Sequence, residues 1–415
     1  MVRNGYIQYF MSFLQKKEIL ILIGPRQAGK TTVLKEVEKT LKAKNEKTIF
    51  FNLDIEKDKE HFSSQEDFLN RIKLEFGKKF GYVFIDEIQR KENAGLFLKG
   101  IYDSEPNFKI IASGSGSLEL KENIQESLAG RKLLINLSVF TFFEFADYKT
   151  DYKYSNKLKE FFIYEKNYAE RLLKEYLLFG GYPRVILEET IREKEIIISE
   201  IMQSYLEKDV TQLGIEKSHV FSKLLRLIAA STGKISNFQE LASTLGISTI
   251  TLQKYLWIAE KTFTIQTSTP YFTNVKKEIT KAPIYYLHDT GFRNYLLGFW
   301  DAELQPNDSG MLFQSFIFNQ LKTLIHSYRF SLKFWRTKDK GEIDIILDTS
   351  REQIPIEVKY SKLKKQELTR SFHSYIEAYS PKKAYVVNLS YRDTKKIKQT
   401  EVHWIAFYEL DEIFR

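Results

Sequence analysis

A glycine loop set between an apolar run and a helix start constrains this chain more than any other stretch. Ile19 to Ile23 reads as a buried strand that breaks at Gly24, and Gly24-Pro-Arg-Gln-Ala-Gly-Lys-Thr31 fits G-x-x-x-x-G-K-[ST]. Helix-forming residues, Val33-Leu-Lys-Glu-Val37, follow at once. Strand, loop and helix start are the context a phosphate-cradling loop needs. Gly24 and Gly29 let backbone N–H groups turn inward where side chains would collide. The new helix adds the positive end of its dipole. Lys30 can reach β- and γ-phosphates, and the Thr31 hydroxyl is placed to ligate Mg²⁺. Pro25, Arg26, Gln27, Ala28 and Thr32 complete the expected nucleotide contacts, and ATP with Mg²⁺ is the expected ligand. A chance glycine turn is the plain alternative, disfavoured by its flanks.

The next segments alternate in kind. Strands are expected over 48–53, 81–86, 109–113 and 132–137, with helical stripes over 4–17, 35–41 and at Phe68, Leu69, Ile72 and Phe76. That order predicts a mostly parallel sheet covered on both faces, an α/β phosphate-loop domain over 1–145. The strand Gly81-Tyr-Val-Phe-Ile-Asp86 runs into Glu87. Asp86 is expected to hold the Mg²⁺ shell and Glu87 to orient or deprotonate the attacking water. Acidic strand caps look the same, so the upstream loop decides the reading. Ser113 either contacts the γ-phosphate or the water, or makes a tight serine-glycine turn. Arg131 is either a finger supplied to a neighbouring subunit's ATP in a homo-oligomer or a surface cation at a helix end.

These motifs together resemble a known group. Gly24 to Thr32, Phe84-Ile-Asp-Glu-Ile-Gln-Arg90, Ser113-Gly-Ser115, Leu128-Ala-Gly-Arg131 and Phe142-Phe-Glu-Phe145 are similar to a large prokaryotic family of predicted AAA+-superfamily ATPases. Its C-terminal domain has been left as one of unknown function. The resemblance extends to Gly180-Gly-Tyr-Pro183, Glu342-x-Asp344 and Glu357-x-Lys359, so it takes in nearly the whole chain. The motif set is specific for the family and far less so for a cellular role.

At 415 residues two or three domains are expected. Residues 146–217 lose the alternation and suggest a helical lid, with Gly180-Gly181 as a hinge or an ordinary breaker. Residues 218–270 read as helix, helix, Gly-containing turn, helix and a strand at 263–267, a winged helix-turn-helix. Its third helix would offer Thr249, Thr251, Gln253 and Lys254 to a major groove, or the module serves protein contacts.

Residues 271–415 give a second α/β pattern that resembles the PD-(D/E)xK nuclease core. Strand period two places Glu357 and Lys359 on one face. Asp344 on the adjacent strand would join Glu357 around Mg²⁺ or Mn²⁺, Glu342 would assist, and Lys359 would steady the water or the phosphate. The basic run Lys362, Lys364, Lys365 and Arg370, read as part of one helix from 362 to 379, would lie near a phosphate backbone. In the family the helix at 312–325 usually begins with a glutamate; the matching position here is Gln314, a weaker ligand for a hard cation. A salt-bridged strand pair that only grips DNA is the alternative.

Charge bears on the partner. Lys+Arg number 63 against Asp+Glu 54, and an excess of 9 favours a polyanion such as DNA, though it serves solubility equally. Absence of cysteine rules out a disulfide framework and thiolate metal sites and fits a cytoplasmic protein. The histidines 61, 219, 288, 326, 373 and 403 form no ligand-spaced pair, so zinc is not expected. No apolar segment approaches the ~20 residues of a membrane span, and no signal-peptide core opens the chain. The expectation is an ATP-hydrolysing protein that binds and processes DNA, remodelling or cutting it. The alternative is an ATP-dependent switch whose C-terminal domains bind DNA or a protein without cutting.

Overall fold

A computed structural model describes the chain except residues 2, 116–125, 211, 212, 216, 301, 302, 305–307, 326–328, 338–340 and 415. His326, named above, lies outside the described residues. The chain divides into two compact units. The first comprises Met1–Val139, Glu207–Gly214 and Lys261–Phe263; the second comprises Phe140–Leu206, Ile215–Glu260 and Thr264–Arg415.

In the first unit the strands β1 (Ile19–Gly24), β2 (Lys47–Asn52), β3 (Gly81–Asp86), β4 (Phe108–Ser115) and β5 (Lys132–Asn136) form one sheet in the order β2-β3-β4-β1-β5. Every pair is parallel. Alternate residues explain the continuous apolar runs. Ile19, Ile21, Ile23, Val83, Ile85 and Ala112 face one core with Phe68, Ile72 and Phe97 of helices α3 (Gln65–Phe76) and α4 (Ala94–Asp103). Leu20, Leu22, Phe84 and Ile111 face the other, with Val33, Leu34 and Val37 of α2 (Lys30–Ala43) and Phe10 of α1 (Asn4–Met11). Parallel strands bring Gly24, Asp86 and Ser115 to one edge, with Gly24 opposite Ser115. The stripe at 4–17 is helical only to Met11.

The second unit begins helix-rich, with α5 (Phe142–Lys149), α6 (Lys166–Phe179) and α7 (Ile191–Ser204). Then come α8 (Ser218–Ala230), α9 (Phe238–Leu245) and α10 (Thr249–Lys261). Capping signals set their starts: Asn237 accepts N–H bonds from Gln239 and Glu240 at 3.2 and 3.3 Å, and the Ser248 hydroxyl accepts one from Thr251 at 3.0 Å. The strand expected at 263–267 is β6, Ile265–Pro270, antiparallel to β7 (Ile284–Leu287). This pair is not a separate wing. β6 also pairs with β8 (Ser331–Arg336), which makes both strands part of an eight-stranded sheet.

Helices α11 (Thr290–Leu297) and α12 (Ser309–Leu324) precede β8; then follow β9 (Glu342–Asp348), β10 (Gln353–Val358), α13 (Arg370–Tyr379), β11 (Lys383–Asn388), β12 (Asp393–Ile397) and β13 (Thr400–Ala406). The sheet order is β12-β13-β11-β10-β9-β8-β6-β7. One correction concerns the basic run. The helix expected over 362–379 begins only at Arg370, because the Thr369 side chain caps it by accepting from the Phe372 N–H at 3.2 Å. Residues 361–369 are irregular chain, with Leu363 and Leu368 packed on the core of Phe372, Tyr375 and Trp404. Among the described residues no helix is long and apolar enough to cross a membrane.

Candidate active site

The glycine loop leaves β1 at Gly24, where a Cβ would sit 2.2 Å from the Leu137 carbonyl oxygen. Only glycine lets β1 and the chain after β5 approach so closely. Gly29 has φ 93° as the residue before α2, the left-handed turn that aims the first helical N–H groups at the loop. Pro25 and Ala28 are buried, Arg26 and Gln27 half-buried, and Thr32 exposed. Lys30 is 6% exposed, and its ammonium donates to the Gly24 and Pro25 carbonyls at 3.1 and 2.8 Å. A buried cation thus closes on two carbonyls of its own loop.

Three strand ends complete the edge. Asp86, 1% exposed, accepts from the Thr31 hydroxyl at 2.6 Å through Oδ2 and from the Ser113 hydroxyl through Oδ1. Ser113 Oγ in turn accepts from the Glu87 N–H at 3.4 Å. Glu87 takes φ 56°, so the chain reverses directly after β3. Burial raises its carboxyl above the usual range; Lys30 pulls it down, Asp86 pushes it up, and a Gln89 hydrogen bond pulls it down again. The structure therefore brings Lys30, Thr31, Asp86, Glu87 and Ser113 together. Ser115 joins them: its hydroxyl is buried and has no hydrogen-bond partner, and its backbone lies opposite Gly24. These residues fit a triphosphate and Mg²⁺. The amide-lined loop and the ammonium suit phosphate oxygens, one carboxylate and one hydroxyl suit a cation that keeps several waters, and an orphaned hydroxyl awaits a polar partner.

A second acidic cluster lies in the second unit. The Asp344 carboxylate on β9 accepts from the Val358 N–H at 2.8 Å, which ties it to the end of β10. Burial, then neighbouring Glu357, push its pKa up to about 7, while the Val358 N–H and Lys359 act the other way. Burial also raises Glu357, against the pull of Lys359 and of the Thr369 hydroxyl, 3.3 Å away. Lys359 lies one residue past β10, its N–H donated to the Val387 carbonyl at 2.8 Å. Gln314 on α12 is buried and donates its amide to the Tyr286 hydroxyl at 3.2 Å. Asp344 contributes to raising that tyrosine's pKa, behind burial. Among the described residues no group of three or more His, Cys, Asp or Glu side chains is arranged to hold a metal ion. Two carboxylates and a committed amide are an incomplete set for Mg²⁺ or Mn²⁺.

Comparison with known proteins bears on the first of these sites. Residues 16–146 match the AAA domain. Residues 170–303 and 309–408 match two families each described as a domain of unknown function (DUF8612 and DUF4143). An uncharacterized protein of Mycobacterium tuberculosis is 26% identical over 350 residues, covering 83% of this chain and 71% of that protein. One from Methanocaldococcus jannaschii is 27% identical over 387 residues, 86% of this chain and 78% of its own. Among solved structures, the replication initiator DnaA bound to AMPPCP and single-stranded DNA aligns at a TM-score of 0.33 and 15% identity, over 62% of this chain and 88% of that one.

Within the matched residues 16–146, Arg131 is not brought to the glycine loop. Its carbonyl pairs with the Ile19 N–H at 2.8 Å, at the opposite end of β1, a strand's length of about 20 Å away. Its guanidinium donates to Asp103 at 2.7 Å. Ser115 and Gln89 are the AAA-domain residues that motif reading passed over. Ser115 stood in the quoted Ser113-Gly-Ser115, and strand periodicity makes residues 113 and 115 equivalent in facing.

Proposed function

We propose that the chain hydrolyses Mg-ATP and couples turnover to work on DNA. The observation that carries the ATPase reading is the buried Lys30 beside an aspartate held by two hydroxyls, Thr31 and Ser113. In this reading residues 24–32 hold the phosphates, with Lys30 facing the β- and γ-groups. Thr31 and Asp86 would hold Mg²⁺, which when bound neutralises phosphate charge. Glu87 orients the water and accepts its proton, and Ser113 and Ser115 fix the geometry around it. Arg131 acts on a neighbouring subunit's ATP in a homo-oligomer, since its position suits no role at its own loop. Arg131→Ala mixed with Glu87→Gln should then recover turnover that neither variant has alone; no recovery would remove the finger.

The DNA half rests on the positive excess and on three parts of the second unit. Residues 146–217 serve as a helical lid. The helices of residues 218–270 serve as a helix-turn-helix whose following strand joins the larger sheet, with Thr249, Gln253 and Lys254 exposed on α10 and Thr251 half-buried. Residues 271–415 serve as a PD-(D/E)xK-like module, with Asp344, Glu357 and Lys359 followed in the sequence by Lys362, Lys364 and Lys365. DNA affinity that falls steeply with salt supports this, and no binding at low salt would end it.

A second reading is favoured by Gln314. With its amide given to Tyr286 and, among the described residues, no group of three ligating side chains arranged for a metal, the module grips DNA, or a protein, without cutting, and ATP sets a switch. Branched, single- and double-stranded DNA with Mg²⁺ or Mn²⁺ separates the two. Cleavage lost in Asp344→Ala and Glu357→Ala supports the nuclease, whereas equally inert wild type and variants support the switch.

A further inference from the structure

Glu87 is not oriented by its own backbone alone. The 3₁₀ turn Ile88–Arg90 follows it directly, and its left-handed φ of 56° folds that turn back over the strand end. Of the turn's side chains, Ile88 is fully buried in the core and Arg90 is turned to Asp54 at 2.8 Å. Gln89 is the one set against the carboxylate. Its Nε2 donates to Glu87 Oε2 in a short contact. Its own carbonyl oxygen, Oε1, is buried with no hydrogen-bond partner. A buried acceptor left unmet is costly, so an amide held in that state invites a donor. Flipping the amide is no escape, because it would set oxygen against carboxylate oxygen.

We propose that Gln89 is a positioning residue for the hydrolytic water. Its N–H clamps Glu87 Oε2, Glu87 Oε1 is left to take the water's proton, and the Gln89 carbonyl accepts the water's other O–H. The water oxygen forms a bond to the γ-phosphorus and the bond from that phosphorus to the bridging oxygen breaks. The proton passes to Glu87, and ADP and phosphate leave. Glutamine suits the task because one planar group carries both the donor for a carboxylate and the acceptor for a water. Leucine keeps only its volume, and glutamate keeps its shape while facing Glu87 with a like charge. The proposal rests on the hydrolysis reading above.

The test uses the full chain. Gln89→Leu should lower kcat about tenfold or more while the affinity for a non-hydrolysable ATP analogue with Mg²⁺ stays within about twofold. Gln89→Glu, isosteric, should lose at least as much. A readout independent of turnover comes from the nucleotide-free protein. The Gln89 side-chain amide resonance, identified by its absence in Gln89→Leu, should shift and exchange faster in Glu87→Ala. Unchanged or increased kcat in both Gln89 variants with analogue affinity intact would overturn the proposal, as would an amide resonance indifferent to Glu87→Ala. Failure of the underlying reading looks different: the wild type then binds no Mg-ATP analogue, or Glu87→Gln turns over at the wild-type rate, and the Gln89 role falls with it.

Discussion

Two acidic strand ends, one in each unit, draw on similar side chains and reach different electrostatic states. At the end of β3, Asp86 receives two hydroxyl donors, and Lys30 stands close enough to draw the Glu87 carboxyl down. At β9, Asp344 receives one backbone N–H, and the next carboxylate, Glu357, faces it. Burial first and Glu357 second push its pKa up to about 7. The difference lies in the placing of donors. The first region has its cation and hydroxyls built into a loop and helix start, whereas the second has Lys359 just beyond a strand and an amide spent on Tyr286. A preorganised array of donors suits a repeated reaction, and a carboxylate pair short of donors suits a site that waits for a polyvalent partner.

The largest effect should come from removing the first region's cation. Lys30→Ala is expected to lower ATP turnover by about a thousandfold, as for loss of a central charge clamp. Asp344→Ala should leave it unchanged. Phosphate release measured for both variants checks this, and equal losses would erase the contrast between the units.

Asp289 offers a third way to bury a carboxylate. It accepts from the Gly181 N–H at 2.7 Å and from the Phe292 N–H at 2.8 Å, the second as the cap of α11. Burial pushes its pKa up to about 6 despite the N–H donors. The stability it gives by holding a proton is full below its ordinary value near 3.8 and is lost as pH rises through about 6. Asp289→Asn sets an amide N–H against a backbone donor and should cost about 1–3 kcal/mol at pH 5. The gap from wild type should narrow between pH 5 and 7. Denaturation midpoints across that range would show it; a gap independent of pH would mean the carboxyl titrates normally.

How much could be read beforehand follows from the same contrast. The first unit's strands were legible because burial on both faces leaves unbroken apolar runs such as Ile19 to Ile23. β12, with Asp-Thr-Lys-Lys-Ile, is an edge strand largely open to water and carries no such signal. Asp86-Glu87 and Asp344 with Glu357 were legible from motif spacing and strand period. The Gln314–Tyr286 bond joins residues 28 apart, and the orphaned oxygens of Ser115 and Gln89 are defined only by what packs around them. The start of α13 was misjudged because the lysines before it suit a helix, while Thr369 gives the backbone a better-defined beginning.

Completing the second region's ligand set is the next sharpening step. Gln314→Glu adds a third carboxyl where an amide now stands, and divalent affinity should tighten about tenfold, since charge count sets affinity for hard cations. Titration calorimetry with Mn²⁺ on wild type and variant measures it. Unchanged affinity would place Gln314 outside the cluster and detach the second region from metal chemistry.

The smallest effect isolates one hydroxyl in each region. Thr31 donates to Asp86 from the first turn of α2; Thr369 both caps α13 and lies 3.3 Å from Glu357. Losing a cap costs about 1 kcal/mol, so Thr369→Ala should lower the unfolding free energy by that amount, and Thr369→Ser, which keeps the oxygen, by only a few tenths. The two functions of this hydroxyl then separate. If it serves only the helix, Mn²⁺ affinity is equal in all three proteins. If it also holds Glu357, alanine weakens the metal or DNA contact and serine restores it. ATP turnover should not respond to either change, since Thr369 belongs to the other unit, and a response there would show the two acidic regions to be coupled.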